Sequence, residues 1–229
     1  MKKLWAAFVI LSTFPLFSCT QKDKKAVDIR VENLFFDYQL SAEEGDDNLT
    51  VLIRFRDGAD GDALTLPANT SIFLDGEMLT PDSAKGTGTF YELHKPIGIF
   101  AGKHMLLFVD DENNEYKQEF TFQPLTLSTY IPDTVQRNDL QLELTGLESK
   151  DYVRIMATDT LFTSEGINRL DTVKNGQLKI SADDLGKLVN GPVQLELIRE
   201  YEIPVEKGTD AGGKMAITYR IRREFILKD

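Results

Sequence analysis

Asp57, Asp60 and Asp62, in Asp57-Gly58-Ala59-Asp60-Gly61-Asp62, put carboxylates close together in a short loop. Hard oxygen donors gathered in this way suit Ca2+. The spacing departs from the calcium-hand loop, which needs a glutamate at a fixed distal offset, so a solvated turn between strands is the competing reading. Glu43, Glu44, Asp46 and Asp47 form a second acidic run with the character of a polar loop. His94 and His104 could act as general bases only beside a positioned nucleophile or acid. The chain has no Gly-x-Ser-x-Gly elbow, no Ser-x-x-Lys, no His-Glu-x-x-His and no Gly-rich phosphate loop. No catalytic residue is therefore assigned, and carboxylate pairs take acid and base roles only through geometry. Tyr38, Tyr91, Tyr130 and Tyr201 could stack sugar rings, although tyrosines on strands also serve as core or cross-strand partners. Cys19 is the only cysteine, which rules out an intramolecular disulfide framework and a zinc-cysteine site. Two histidines are too few for a three-histidine metal centre. No cofactor beyond Ca2+ is suggested.

Lys2 and Lys3 precede an apolar run from Leu4 to Leu11, extended through Phe14, Leu16 and Phe17 to Ser18-Cys19. Charge, an apolar core too short for a permanent span, and a small residue before the cut are the layout of a secretory signal. With the lone cysteine at the cut, the segment resembles a bacterial lipoprotein signal peptide whose lipobox reads Leu16-Phe17-Ser18-Cys19. The resemblance implies that residues 1–18 are removed and that the Cys19 thiol carries a diacylglycerol thioether. It also implies a third acyl chain, of the palmitate type, on the freed amine. Several chains hold a protein on a bilayer more firmly than one, at ~0.8 kcal/mol per buried methylene. Residues 19–26 read as a polar tether. Thr20 is not the aspartate of inner-membrane retention, so the outer membrane is expected. The tether is net basic, unlike the acidic one of surface-exported Bacteroidota lipoproteins, and this points to the periplasmic face rather than the cell surface.

The elements that must position these residues follow from length and alternation. The chain has 229 residues, with 26 Lys and Arg against 37 Asp and Glu. Without Lys2 and Lys3 there are 24 basic residues against 37 acidic, a net charge of −13. Such a surface repels phosphate backbones, so nucleic acid is excluded as a partner. From Val27 onward the apolar period is two: Val27, Ile29 and Val31, then Leu49, Val51, Ile53 and Phe55. Asp75-Gly76 predicts a tight hairpin. Gln123-Pro124 and Tyr130-Ile131-Pro132-Asp133 interrupt the pattern, and strands then resume at Leu140. Ser181, with Asp183 and Asp184 after it, predicts one helix near 182–189 ended by Asn190-Gly191. Two long strands, Val193 to Ile203 and Met215 to Leu227, close the chain around Glu206 to Gly213, read as a flexible loop that projects furthest.

The fold class is therefore all-β: two tandem antiparallel β-sandwich domains, at 27–123 and 128–229, with the short helix in the second. On the Gly102-Lys103-His104 lead into a strand and the acidic turn after it, the first half resembles an immunoglobulin-like module of bacterial surface proteins. Asn175-Gly176-Gln177-Leu178-Lys179-Ile180 and Gly191-Pro192-Val193 make the second half similar to domains of uncharacterised Bacteroidota lipoproteins. These resemblances imply architecture alone. Asp82-Ser83-Ala84, Asp133-Thr134-Val135, Asp159-Thr160-Leu161 and Asp171-Thr172-Val173 resemble the Asp-Ser/Thr-aliphatic O-glycosylation sequon of Bacteroidota, although Asp-Thr and Asp-Ser also open turns. The resemblance implies that Ser83, Thr134, Thr160 and Thr172 are exposed.

The expected function is a non-enzymatic, membrane-anchored binding or scaffold module of the cell envelope. Its partners would be the bilayer, through acylated Cys19, and an envelope protein, through sandwich loops or a strand edge. The alternatives are a lipoprotein that captures a glycan or Ca2+, and a hydrolase of unrecognised family.

Overall fold

The structure, a computed structural model, describes residues 31–229 apart from 68, 85–87, 148–150 and 162, and for 83, 84, 88 and 207 only the backbone. The signal segment, Cys19, the tether and Val27 to Arg30 lie outside the described residues; Val31, expected on the first strand, lies instead in a 3-10 turn, Val31–Asn33, and the strand begins at Leu34.

The chain is all-β, with one large sheet, two smaller ones and one short helix among the described residues. The first half contains β1 (Leu34–Glu43), β2 (Asn48–Asp57), β3 (Ser71–Leu74), β4 (Glu77–Met78), β5 (Asp82–Ala84), β6 (Gly88–Pro96), β7 (Gly102–Val109) and β8 (Glu115–Phe122). The second contains β9 (Thr126–Leu127), β10 (Thr134–Gln136), β11 (Leu140–Thr145), β12 (Tyr152–Asp159), β13 (Ile167–Thr172), β14 (Gln177–Ile180), α1 (Ala182–Leu185), β15 (Gly191–Thr209) and β16 (Gly212–Lys228). Asp75 and Gly76 take φ of 52° and 83°, the left-handed pair that a two-residue hairpin requires between β3 and β4.

One layer is common to both halves. A nine-stranded sheet runs β13-β12-β15-β16-β1-β2-β6-β5, with β10 joined to the end of β16. The sheet β4-β3-β7-β8 covers its upper part and β14-β11-β9 its lower part. Met215, Ile217, Tyr219, Ile221, Phe225 and Leu227 are buried at odd positions along β16, so both small sheets pack on the same face. Most pairings are antiparallel, but β1 lies parallel to β16, from Phe36 opposite Gly213 to Glu43 opposite Arg220. β10 also runs parallel to β16.

The last hairpin differs from its expected form. β15 and β16 extend to Thr209 and from Gly212, leaving Asp210-Ala211 as the turn. The segment 206–213 does not project, because the first half binds it. The Glu206 amide donates to Gln118 Oε1 at 3.1 Å, the Thr209 hydroxyl to the Leu34 carbonyl, and the Ala211 amide to the Glu32 carbonyl at 3.2 Å. Val205 supplies a buried apolar contact at the same end.

The helix is shorter than its sequence suggests. Ser181 accepts from the Asp184 amide while the Asp184 carboxylate accepts from the Ser181 amide, a reciprocal cap that fixes its start. It stops at Leu185, and the Val189 amide then turns to Asp159 Oδ2 at 2.8 Å.

Candidate functional site

The outer face of the nine-stranded sheet runs across both halves and is covered by neither smaller sheet. Alternation sends the partners of the core residues there: Asp37 on β1, Arg54 and Arg56 on β2, Arg154 on β12, Glu196 and Glu200 on β15, Arg220 and Arg222 on β16. Its charges are paired across strands. Asp37, only 1% exposed, accepts from Arg56 at 2.9 Å with Arg54 at 3.7 Å. Arg222 lies 3.0 Å from Glu43 and 3.1 Å from Glu196, Arg154 3.3 Å from Glu200, and Lys214 3.1 Å from Glu202. Ile198 is 4% exposed on this outer side, in register with Arg154 and Arg220. Their aliphatic stems can cover it while the charged heads stay at the surface. Beside them Tyr152 is 55% and Leu170 54% exposed.

Arg199 stands at the waist between the halves and is 3% exposed. It pairs with Asp151 at 2.8 Å, donates to the carbonyls of Gln123 and Gly146 at 3.0 and 2.8 Å, and has its guanidinium carbon 4.7 Å from the Tyr201 ring centre. The Tyr201 hydroxyl donates to the Thr121 carbonyl at 2.8 Å. A sequence pass over alternating residues skips Arg199, since its position belongs to the core side of β15. A lone Arg at a core position is the signal that could have flagged it.

His104 sits 2.7 Å from Asp75 Oδ2 through Nδ1 and 2.7 Å from the Phe100 carbonyl through Nε2, with its ring stacked on Phe100 at 3.8 Å. The open cavity beside it, about 390 Å³, also meets Lys103, Glu119 and Phe120. An Asp–His pair can serve a nucleophile only through the second ring nitrogen, and here a backbone carbonyl takes that nitrogen. The pair instead ties the Asp75-Gly76 turn to β7, where Asp75 Oδ1 also accepts from the Met105 amide at 2.9 Å. His94 lies on the exposed outer face, 3.3 Å from Glu92 and 3.2 Å from the Thr50 hydroxyl.

Asp57, Asp60 and Asp62 are exposed, and no group of His, Cys, Asp or Glu among the described residues is assembled to hold a metal ion. The loop closes on its own backbone, with the Asp57 amide donating to the Asp62 carbonyl at 3.2 Å. The Arg56 guanidinium donates to the Gly61 carbonyl at 3.3 Å, so a backbone oxygen of the loop already has a cationic partner. Glu44 pairs with Arg223 and Glu43 with Arg222.

Thr134, Thr160 and Thr172 are exposed, as acceptors of a sugar must be; Ser83 lies on β5. Asp159 also acts as a turn opener: Oδ1 accepts from the Leu161 amide at 2.7 Å and the Ser164 hydroxyl at 2.9 Å. Burial works against its charge, yet these donors and the Val189 amide hold the carboxyl below its ordinary value. Of the tyrosines considered for sugar stacking, Tyr38 and Tyr91 are buried and Tyr201 is bonded at the waist, whereas Tyr130 is 81% exposed. Burial pushes the Tyr38 phenol well above its ordinary value.

The β13 edge of the large sheet is guarded. Arg169 and Asp171 point to its inner side, and Arg169 donates to the Lys179 carbonyl at 2.8 Å and lies 3.3 Å from Asp184. Inward charge at an edge opposes the addition of another strand.

No family model matches the chain, and no curated protein matches it. Among solved structures it is similar to a tetra-tandem repeat in the extending region of a large adhesion protein, at 16% identity and a TM-score of 0.28 over 83% of this chain and 49% of that one. It is also similar to a 1.5-MDa bacterial ice-binding adhesin (11% identity, TM-score 0.27, 85% of this chain and 65% of that one). A third is the Bacteroides ovatus mixed-linkage glucan utilization locus protein SGBP-B in complex with a heptasaccharide (11% identity, TM-score 0.22, 85% of this chain and 45% of that one). The chain spans about half the length of the first of these.

Proposed function

We propose that this protein is a membrane-anchored, non-enzymatic module of the cell envelope that presents the outer face of its large sheet to a partner protein. The observation that carries the reading is the continuity of that face across both halves, with Tyr152 and Leu170 as exposed apolar anchors among paired charges. On an acidic body, a face whose charges are mutually neutralised lets a partner approach without the repulsion the remaining surface imposes. The acylated Cys19 would hold the body at the outer membrane, on the periplasmic face, with residues 19–26 as the spacer. Thr134, Thr160 and Thr172, together with Ser83, would carry O-glycans.

The test is light crosslinking in cells, gentle purification of the lipidated protein and mass spectrometry of what accompanies it. A stoichiometric protein that is lost with Leu170→Asp supports the reading; recovery of the protein alone under repeated conditions sinks it. Tyr130, 81% exposed, favours glycan capture as a second reading. Retardation of the protein in a glycan-containing gel that vanishes with Tyr130→Ala would support it over the first.

A further inference from the structure

We propose that the body is built to carry tension between its two poles, with the parallel β1–β16 ladder as the element that resists the load. Anchoring at Cys19, as proposed above, would supply one end of that load; the resistance itself follows from topology. β1 begins at the pole of the Asp210-Ala211 turn, where the Ala211 amide donates to the Glu32 carbonyl at 3.2 Å. β16 ends at the opposite pole, where Arg137 pairs with Asp229 at 2.7 Å and β10 lies in register with Ile226 to Lys228. With 17 residues in β16, the poles are roughly 55 Å apart at about 3.3 Å per residue.

Force that separates Leu34 from Lys228 draws β1 and β16 past each other along their common direction. The pairs from Phe36–Gly213 to Glu43–Arg220 are then loaded together rather than in turn. The antiparallel β1–β2 pair offers the contrast within the same molecule. Its ends, Leu34 and Asp57, face each other, so force applied there opens one pair at a time.

The ladder is also keyed against sliding. Phe36 is 0% exposed and sits edge-on to Phe55, Phe108 and Tyr116 at 5.4–5.6 Å. A one-residue slip would turn Phe36, Tyr38 and Leu40 to the outer face. Gly213 lets the strands approach at the first rung: a Cβ there would lie 2.6 Å from Phe36 Cβ and 2.8 Å from the Phe36 carbonyl oxygen. At the last rung Arg222 reaches Glu43 at 3.0 Å.

Single-molecule pulling on the full chain, made without lipidation so that the Cys19 thiol is free, tests this directly. One handle is attached at Cys19 and the other either to a tag appended after Asp229 or to a cysteine introduced by Asp60→Cys. The expected result is a first rupture at several-fold higher force in the pole-to-pole geometry than in the hairpin-end geometry at the same loading rate. Gly213→Ala should lower the pole-to-pole force and leave the hairpin-end force nearly unchanged. Equal or lower force between the poles overturns the proposal, and so does a Gly213→Ala effect of equal proportion in both geometries. The comparison between geometries stands even if Gly213→Ala fails to fold. Failure of the anchoring reading would show separately, as no incorporation of labelled palmitate at Cys19 in cells, and leaves the force result as it is.

Discussion

The two halves share a sheet but are fastened differently. The upper core is aromatic, with Phe36, Phe55, Phe108 and Tyr116 packed largely edge to face. The lower core is aliphatic, built from Leu142, Leu144, Val153, Ile155, Leu195 and Leu197. It is closed at its margins by carboxylates: Asp159 holds Leu161, Ser164 and Val189, and Asp184 binds Ser181, Lys187 and Arg169. In the upper half the comparable group is Asp110, which fastens its own turn through Asn114 and Glu112 and accepts from the Tyr116 hydroxyl on β8 at 3.3 Å. The contrast teaches that aromatic packing carries most of the first half, to which the Asp37–Arg56 pair and the Asp110 carboxylate add an ionised contribution, while more such groups hold the margins of the second.

The largest effect is expected in the aromatic nest. Phe108→Ala should cost about 3–5 kcal/mol, read from denaturant unfolding. Arg199→Ala, at the waist, should cost about 3 kcal/mol by leaving Asp151 and two carbonyls without their cation. It should also split one unfolding transition into two, and a single transition after this change would show that the shared hairpin alone couples the halves.

Asp159→Ala should cost about 1–3 kcal/mol, because it strands the amides of Leu161 and Val189. It should also flatten the acid limb of stability. The folded Asp159 and Asp184 carboxyls lie below their ordinary values, because donors outweigh the opposing effect of burial. Their stabilisation is thus complete above the unfolded value, near pH ~4, and is lost as pH falls through the lower folded values. Hydrogen exchange on acidification should show the lower half opening first, and an upper half that opened first would break the contrast. Ser181→Ala should cost about 1 kcal/mol by thermal melting, through loss of the cap. Added Ca2+ should leave the melting temperature unchanged; a rise that grows with concentration would show a cation bound at Asp57 to Asp62.

Much of this architecture is legible in short stretches of sequence. Alternation identifies Leu49, Val51, Ile53 and Phe55 as one buried face, Asp75-Gly76 as a tight turn, and Ser181 as a cap, since each depends on neighbours within a few residues. What lies beside what is not legible in this way. Alternation says that Phe36 and Met215 face inward, but not that Phe36 pairs with Gly213 across most of the chain. The same gap explains why 206–213 reads as a free loop: its Gly and charged residues suit solvent, and its binding partners, Glu32, Leu34 and Gln118, are remote in sequence. The uncovered sheet face was invisible for a related reason, since its arginines and glutamates read singly as solvated charge until the strands are set in order.

The parallel pairing of β1 with β16 also constrains how the chain acquires its fold. Of the two neighbours of β1, β2 follows it directly while β16 is the most distant of the described strands in sequence. Until β16 is made the upper sheet has a missing member, and the entropic cost of closing so long a loop is met only when β16 pairs. Topologies dominated by such distant pairings fold slowly, in milliseconds to seconds. A ribosome-bound or translocating chain would therefore remain pliable until β16 emerged, and a truncation before β16 would unravel both halves together.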